Sequence, residues 1–417
     1  MPGYGALWAN RPFRALWIGT LAIRLGSQIG IIALTWLVLR TTGSGTKIGI
    51  VLALYAVGDM VASPLAGVLL DRWSRKRLLN VNVLFQGLIF VILAILFWTH
   101  RLPFVLLLVI VWGAGALSPV SYLGRMIILP NVVRENMWET ANTAMQFNMN
   151  MVTLLGPALG GILVGMAGIF MTLMVTALTC FVYVFCLMSI PTPLFQSAHP
   201  HQPLSFVLDV LVGWRFLRTV PLLLTMVLVT FFFSLTYGPL EPALPILVQT
   251  VFHRGPETLG ILWSGFAVGA LAGTLLWGRL RPIWPLRPVV SVIIVFWGGF
   301  SGLVGLTHWV WAAILLLALG GLTYAPYNIL YSLWRQRLVP DSLRGKVFGV
   351  INSVTGAGLP LGQALGGILI GALGASATVE IGGVACVMLG IGVFLRKSLW
   401  NMPSVEKEFP CGASSES

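Results

Sequence analysis

The chain has 417 residues, of which 57% are hydrophobic and only 9% charged, with a formal net charge of +13. A soluble domain carries about 25% charged residues, so this composition excludes an ordinary soluble protein and points to one that crosses a membrane many times. In a soluble chain the positive charge would suggest nucleic acid; here it is better accounted for by basic loops on the cytoplasmic side of a bilayer, and no nucleic-acid partner is expected. Four cysteines (Cys180, Cys186, Cys386, Cys411) show no paired spacing, so no disulfide framework is expected.

A membrane-crossing helix needs about 20 mostly apolar residues. On that ruler twelve spans are predicted in chain order, at 12–39, 47–70, 78–99, 103–124, 140–166, 168–190, 221–249, 257–279, 288–306, 309–333, 345–373 and 376–396. The divisions beside Leu102 and His308 are the narrowest, and eleven or ten spans are the alternatives. The first apolar run continues to Leu39 with no short core and cleavage site before it, which predicts a signal-anchor helix and not a cleaved signal peptide. With the N-terminus placed inside, 20 Lys and Arg residues fall in inside segments and 4 in outside loops, with Arg24 within the membrane. Both termini are therefore expected in the cytoplasm.

The first inside hairpin carries the stretch Gly67-Val-Leu-Leu-Asp71-Arg72-Trp-Ser-Arg75-Lys76-Arg77. The basic cluster alone would serve to hold the loop inside, but that explains neither the acid nor the glycine ahead of it. Further on, Pro191–Pro203 is rich in Pro, His and Gln, as an irregular linker would be. Ser205–Arg218 then alternates apolar residues with Asp209, Arg215 and Arg218, which predicts an amphipathic helix at the membrane surface. The organisation expected is a six-helix half over 1–190, a cytoplasmic linker over 191–220, a second six-helix half over 221–397 and a disordered tail over 398–417.

An internal repeat supports that division. Gly160-Gly161-Ile-Leu-Val-Gly165 returns as Gly366-Gly367-Ile-Leu-Ile-Gly371, and Gly67-Val-Leu-Leu returns weakly as Gly273-Thr-Leu-Leu, which puts Trp277 in the place of Asp71. Parallel repeats of six helices point to a transporter with its site between the halves.

Taken together these motifs resemble the major facilitator superfamily over nearly the whole chain. The Gly67–Arg77 stretch is similar to its signature between the second and third helices, with Ser74 where many members have Gly. Gly156-Pro157-Ala-Leu-Gly160-Gly161 resembles the fifth-helix signature of antiporters, without its leading Gly, since Val152 stands there. Gly213-Trp-Arg-Phe-Leu-Arg218 and Arg344-Gly-Lys-Val-Phe-Gly349 are similar to segments of the bacterial efflux branch that includes macrolide and enterobactin exporters. The resemblance implies an all-α membrane fold of twelve helices in two pseudo-symmetric halves, resident in a bacterial cytoplasmic membrane. It also implies proton-coupled or sodium-coupled export of small amphiphilic compounds by a monomer without cofactor or metal. The fourth span departs from many drug/proton antiporters, because it has no Arg at mid-membrane; Arg125 lies at its inner end.

Ionisable residues deep in a membrane are costly and mark function by default. Arg24, Asp59 and Glu241 qualify. Arg24 lies roughly 18 Å into the first span and Asp59 roughly 19 Å into the second, at 1.5 Å per residue. They either pair as a structural ion pair, or Asp59 faces a cavity as a proton-binding carboxyl. Glu241 follows Tyr237-Gly-Pro-Leu and precedes two further prolines, in a span that must be irregular. Freed backbone groups at membrane depth are tolerated in protein or beside a wet cavity, so Glu241 is a candidate for proton or cation binding; the alternative is a carboxylate at the outer rim. Asn148, Tyr237, Tyr327 and Asn328 are candidates for a substrate cavity. Gly67, Asp71, Arg72, Arg75 and Arg344 form a candidate conformational latch. Gly156, Pro157, Gly160 and Gly161 serve packing, with a seal against ion leak as the functional version.

Other classes fit less well. An uptake symporter of the same fold differs only in direction. A lipid-modifying membrane enzyme would need clustered acids or histidines, and the five His residues are scattered in loops. A non-transporting sensor would show no turnover. No Walker-type phosphate loop is present, which argues against ATP-driven transport.

Overall fold

The structure, a computed structural model, describes residues 4–195, 206–280, 286–340 and 343–396. A short helix α1 (Tyr4–Ala9) leads into α2 (Arg11–Thr42), α3 (Gly45–Arg72), α4 (Arg75–Trp98), α5 (Phe104–Val132) and the long α6 (Trp138–Ser189). The surface helix α7 (Phe206–Thr219) follows. Then come α8 (Pro221–Tyr237), α9 (Leu240–Thr250), α10 (Pro256–Leu280), α11 (Leu286–Leu306), α12 (Val310–Leu338), α13 (Arg344–Leu373) and α14 (Ala375–Leu395). There are no strands among the described residues.

Among the described residues, eleven helical stretches are long and apolar enough to cross a membrane. One of them, Glu135–Ser189, has 55 residues. At 1.5 Å per residue that is far longer than the ~30 Å hydrocarbon core. It is broken at Gly168, whose φ of 79° and ψ of 170° are non-helical, and a positive φ of that kind favours glycine. Counted as two limbs, it is consistent with the twelve crossings expected. Gly374, with φ 87° and ψ 167°, separates α13 from α14 in the same way, so the two halves use one turn at corresponding places. The predicted span 221–249 is instead two helices, because Pro239 and the residues around it interrupt the ladder between α8 and α9.

Within the first half, α2 and α4 pack on α6, and α3 packs on α5; within the second, α10 packs on α12, α11 on α14, and α8 on α13. Glycines set the register of these contacts. Gly58 lies against the Trp112 carbonyl and Gly115 against the Tyr55 carbonyl; Gly269 lies against the Ala318 carbonyl and Gly321 against the Phe266 carbonyl. The packing therefore matches Tyr55 with Phe266 and Gly58 with Gly269. Extended along α3 and α10, that register sets Gly67 opposite Gly278. This corrects the sequence alignment of Gly67 with Gly273 and of Asp71 with Trp277: the place of Asp71 falls at position 282, outside the described residues. The sequence match was drawn from a Leu-Leu pair that any apolar helix supplies.

The halves meet along two seams, α3 on α13 and α6 on α10. Gly49 packs on the Gln363 carbonyl and Gly367, Thr46 donates its hydroxyl to the Gly367 carbonyl at 2.7 Å, and Gly161 packs on Pro256 and Gly260. All lie in the half of the bundle away from the basic hairpins. Toward the basic end, Asn142, Thr143, Gln146, Asn150 and Thr153 on α6, and Asn352 and Ser353 on α13, are exposed. Polar side chains on membrane-length helices are stable when they face water and not lipid. The bundle is thus closed at one end and parted at the basic end.

α7 has an apolar face on α13: Leu217 is fully buried with Val347 and Ile351, and Gly213 sits against the Lys346 carbonyl. Arg218 lies over the Trp214 ring at 5.1 Å, and Val210 and Leu211 are exposed.

Candidate functional site

Two cavities lie in succession along the path between the halves. The one on the sealed side has a volume of about 250 Å³. Its wall combines Ile31 and Thr35 of α2, Pro157 of α6, and Trp263 and Phe266 of α10 with Tyr237 and Glu241. The break between α8 and α9 starts α9 at Leu240 and puts Glu241 in its first turn. The Glu241 carboxylate accepts a hydrogen bond from the Tyr237 hydroxyl on Oε1 at 3.1 Å and from Gln363 Nε2 on Oε2 at 2.6 Å. Glu241 is half-buried and lines this cavity between the halves. A hydrogen bond to a charged group contributes about 1.5–3 kcal/mol, so two of them offset much of the several kcal/mol that burying an ion costs.

Behind Tyr237 lies an aromatic cluster that stiffens this wall. Trp297, 1% exposed, is the hub, with ring centroids 5.6 Å from Tyr237 and 5.5 Å from both Tyr324 and Phe266. Phe233 and Tyr327 pack at 4.9 Å on its flank. Rings at these separations contribute about 0.5–1.5 kcal/mol per pair beyond burial.

The second cavity, about 580 Å³, opens toward the basic end and is more polar. Arg24 and Asp59 both line it, with Ser63, Gln86, Ser118 and Asn352. The Ser118 hydroxyl reaches the Asp59 carboxylate. Gln28 and Thr153 line both cavities and stand between them. Across the cleft, Arg335 donates to the Asn352 side-chain oxygen at 2.8 Å and lies over the Phe348 ring at 4.5 Å.

Three of the sequence candidates for the substrate cavity lie elsewhere. Asn148 is fully buried, its amide donating to the Trp17 carbonyl at 3.0 Å in the contact of α6 with α2. Tyr327 is 4% exposed in the aromatic cluster and shares a 2.6 Å hydrogen bond with Thr230. Asn328 is exposed and lines neither cavity. Helical phase decides each of these outcomes, and composition does not reveal it. Tyr237 does line a cavity.

The fifth-span motif divides its work. Gly156 and Gly160 pack on α2 within their own half, against Gln28 and against Ile29 and Ile32. Gly161 and the Pro157 carbonyl meet α10 of the other half, at Pro256 and Gly260. Of the latch candidates, Arg75 donates to the Leu70 carbonyl in its own hairpin at 3.2 Å, and Arg344 to the Gln336 carbonyl in its own half at 3.3 Å. The backbone is helical through Gly67, Asp71 and Arg72, but their side-chain surroundings lie outside what is described. Lys76, not among the candidates, donates to the carbonyls of Met188 and Ile190 at 3.0 and 2.6 Å and so caps the end of α6.

Gln363, Trp297, Gln28 and Ser118 carry the site and were not foreseen. For Gln363 a signal was present: the repeat that matches Gly160 with Gly366 also sets Gln363 where the first half has Pro157.

Residues 5–410 match the family described as transmembrane secretion effectors. The chain is 26% identical over 420 residues to the multidrug efflux pump Tap of Mycobacterium tuberculosis (strain ATCC 25618 / H37Rv), covering 97% of this chain and 99% of that one. It is 26% identical to the enterobactin exporter EntS of Citrobacter koseri, over 94% of this chain and 91% of that one. It is 25% identical to the staphyloferrin A transporter of Staphylococcus aureus, over 88% and 91%. Among solved structures, the nucleoside transporter NupG aligns with a TM-score of 0.72 at 14% identity, over 94% of this chain and 100% of that one. A bacterial homologue of the iron transporter ferroportin in the inward-facing state aligns with a TM-score of 0.71 at 16% identity, over 92% and 98%. At these identities the two structures show the fold alone.

Proposed function

The chain belongs to the transmembrane secretion effector family of major facilitator transporters, and from that premise we propose that it exports small amphiphilic compounds across a bacterial cytoplasmic membrane, driven by protons moving inward through alternating access. The observation that carries this reading is Glu241, a carboxylate held by Tyr237 and Gln363 in a largely apolar, aromatic cavity between the halves. Such a cavity suits a compound with an aromatic or aliphatic body, and a single acid within it suits exchange of a proton for that compound.

The conformation supports loading from the basic end. Positive loops mark that end as cytoplasmic, and the cleft is parted there. A compound would pass the polar cavity beside Arg24 and Asp59 and settle against Trp263 and Phe266. The glycine seams hold the far side shut meanwhile. Rocking of the halves would part those seams and close the basic end, releasing the compound outward. A proton taken up by Glu241 from the outer side would then be given up inside. Asp59 is the second coupling candidate, with Arg24 on the same wall.

Reconstitution in proteoliposomes tests this. With a fluorescent aromatic cation as transport probe, the unaltered protein moves it against its gradient when a proton gradient is imposed. Glu241→Gln should lose that movement while still inserting and folding. Undiminished proton-driven transport by Glu241→Gln would remove Glu241 from the mechanism.

A further inference from the structure

Gln363 has one hydrogen-bonding atom used and one idle. Its Nε2 donates to Glu241 at 2.6 Å, whereas its Oε1 is buried and has no hydrogen-bond partner. The side chain is only 4% exposed. Buried acceptors without partners are uncommon in folded proteins, and each calls for an explanation.

The chemistry of the pair supplies one. An ionised carboxylate only accepts hydrogen bonds, while a protonated carboxyl also donates one. A side-chain amide carries a donor and an acceptor on one planar head of nearly symmetric shape. With Glu241 ionised, Nε2 faces the carboxylate and Oε1 is idle. With Glu241 protonated, a half-turn of the amide brings Oε1 to the same place, where it accepts from the new O–H.

We infer that Gln363 is a positioning residue that reads the protonation state of Glu241 and passes it to the seal between the halves. The second step follows from where the residue sits. The main-chain carbonyl of Gln363 lies against Gly49 of α3, in the opposite half, and Gly367 one turn further on lies against Thr46 and Gly49. The same residue therefore touches the proton site with its side chain and the seam with its backbone. Pro360 removes one rung of the hydrogen-bond ladder of α13 at this point, and Gly362 and Gly366 let the backbones of Leu235 and Pro239 approach it closely. In the first half the equivalent residue is Pro157, whose carbonyl meets Gly260 in the matching seam but which has no polar side chain. The reading device is thus present in one half only.

The other groups around Glu241 leave this role to Gln363. The titratable groups that face it are the hydroxyls of Tyr237 on α8 and Tyr324 on α12. From α2, α3, α6 and α10 the cavity receives Gln28, Thr35, Leu52, Thr153 and apolar or aromatic residues, with no second charge. Tyr237 offers its hydroxyl to Oε1, on the other side of the carboxylate.

The inference rests on the reading of Glu241 as a coupling carboxylate, and the test separates the two. Dicyclohexylcarbodiimide, which modifies protonated carboxyls in apolar sites, is reacted with the full-length protein in proteoliposomes across a pH series. Labelling of the peptide containing Glu241 is followed by mass spectrometry, with Glu241→Gln as the blank. Gln363→Leu, with neither donor nor acceptor, should displace the labelling midpoint by at least one pH unit and displace the pH profile of transport alike. Gln363→Asn, which keeps the amide, should recover at least half of that displacement. Gln363→Met, flexible and apolar, takes the place of the Leu variant if that one does not insert. If labelling and transport profiles of the apolar variant coincide with those of the unaltered protein while Glu241→Gln abolishes both, Gln363 only packs and the inference fails. If Glu241→Gln keeps proton-driven transport, the coupling role of Glu241 fails instead, and the inference with it.

Discussion

Glu241 and Asp59 are both acids at membrane depth, yet their surroundings differ. Glu241 has two side-chain donors, Tyr237 and Gln363, in a small apolar cavity; Asp59 has Ser118 and a larger polar one shared with Arg24. Removing one donor from Glu241 tests how closely its charge is balanced. Tyr237→Phe keeps the ring in the aromatic cluster and deletes one hydrogen bond to a charged group, a loss of about 1.5–3 kcal/mol. The initial rate of proton-driven transport should then fall by about tenfold or more. Asn148 offers the opposite case. It lies in a helix contact away from both cavities, so Asn148→Ala should lower thermal stability by about 1–3 kcal/mol. It should leave the probe's apparent affinity unchanged, as measured by binding to the purified protein.

At the scale of the element, the helices are long because their sequences are apolar, but their joints depend on single residues. Gly168 and Gly374 both take positive φ with no atom near a potential Cβ, so an added methyl would meet strain and not a clash. Gly168→Ala should lose about 1–3 kcal/mol from that conformation alone. Gly392→Ala, in helix with open space around it, is the control and should be neutral or slightly stabilising in the same thermal-denaturation assay. The seams behave differently, because there a Cβ meets backbone of the other half. Gly367→Val would intrude on Thr46 and Gly49. We expect it to part the far end of the bundle and abolish transport without loss of insertion, read as new reactivity of a cysteine placed at Thr46 toward a membrane-impermeant thiol reagent. The first basic hairpin, proposed as a latch, is tied to its own half in this conformation through Arg75 and Lys76. A contact of Asp71 across the halves belongs to the other state of the cycle in this proposal.

For the whole molecule, the arrangement of seal and cleft predicts reciprocal motion. Spin labels at Thr143 and Ser353, exposed on α6 and α13 near the basic end, should approach when the cleft closes. Labels at Thr41 and Thr250, exposed at the far ends of α2 and α9, should separate in the same step. Pulsed dipolar spectroscopy would register both changes under a proton gradient with the transport probe present. Movement of one pair without the other would contradict rocking of the halves about a central site.

The sequence by itself determined that this chain is a bundle of membrane helices, because length and apolarity of each span are local properties that the bilayer reads directly. It also determined the two-fold repeat, since Gly160-Gly161 and Gly366-Gly367 must each admit a neighbouring backbone. The rarity of acids in apolar spans singled out Asp59 and Glu241 as well. Only the tertiary structure decided which face each helix turns inward. That placed Asn148 and Tyr327 in packing contacts, matched Gly58 with Gly269, and set Gln363 against Glu241 across a separation of 122 residues in the chain. The physical reason is that a partner for a buried charge is chosen by helix phase and seam geometry. Those are properties of two elements together, and neither element's sequence contains them.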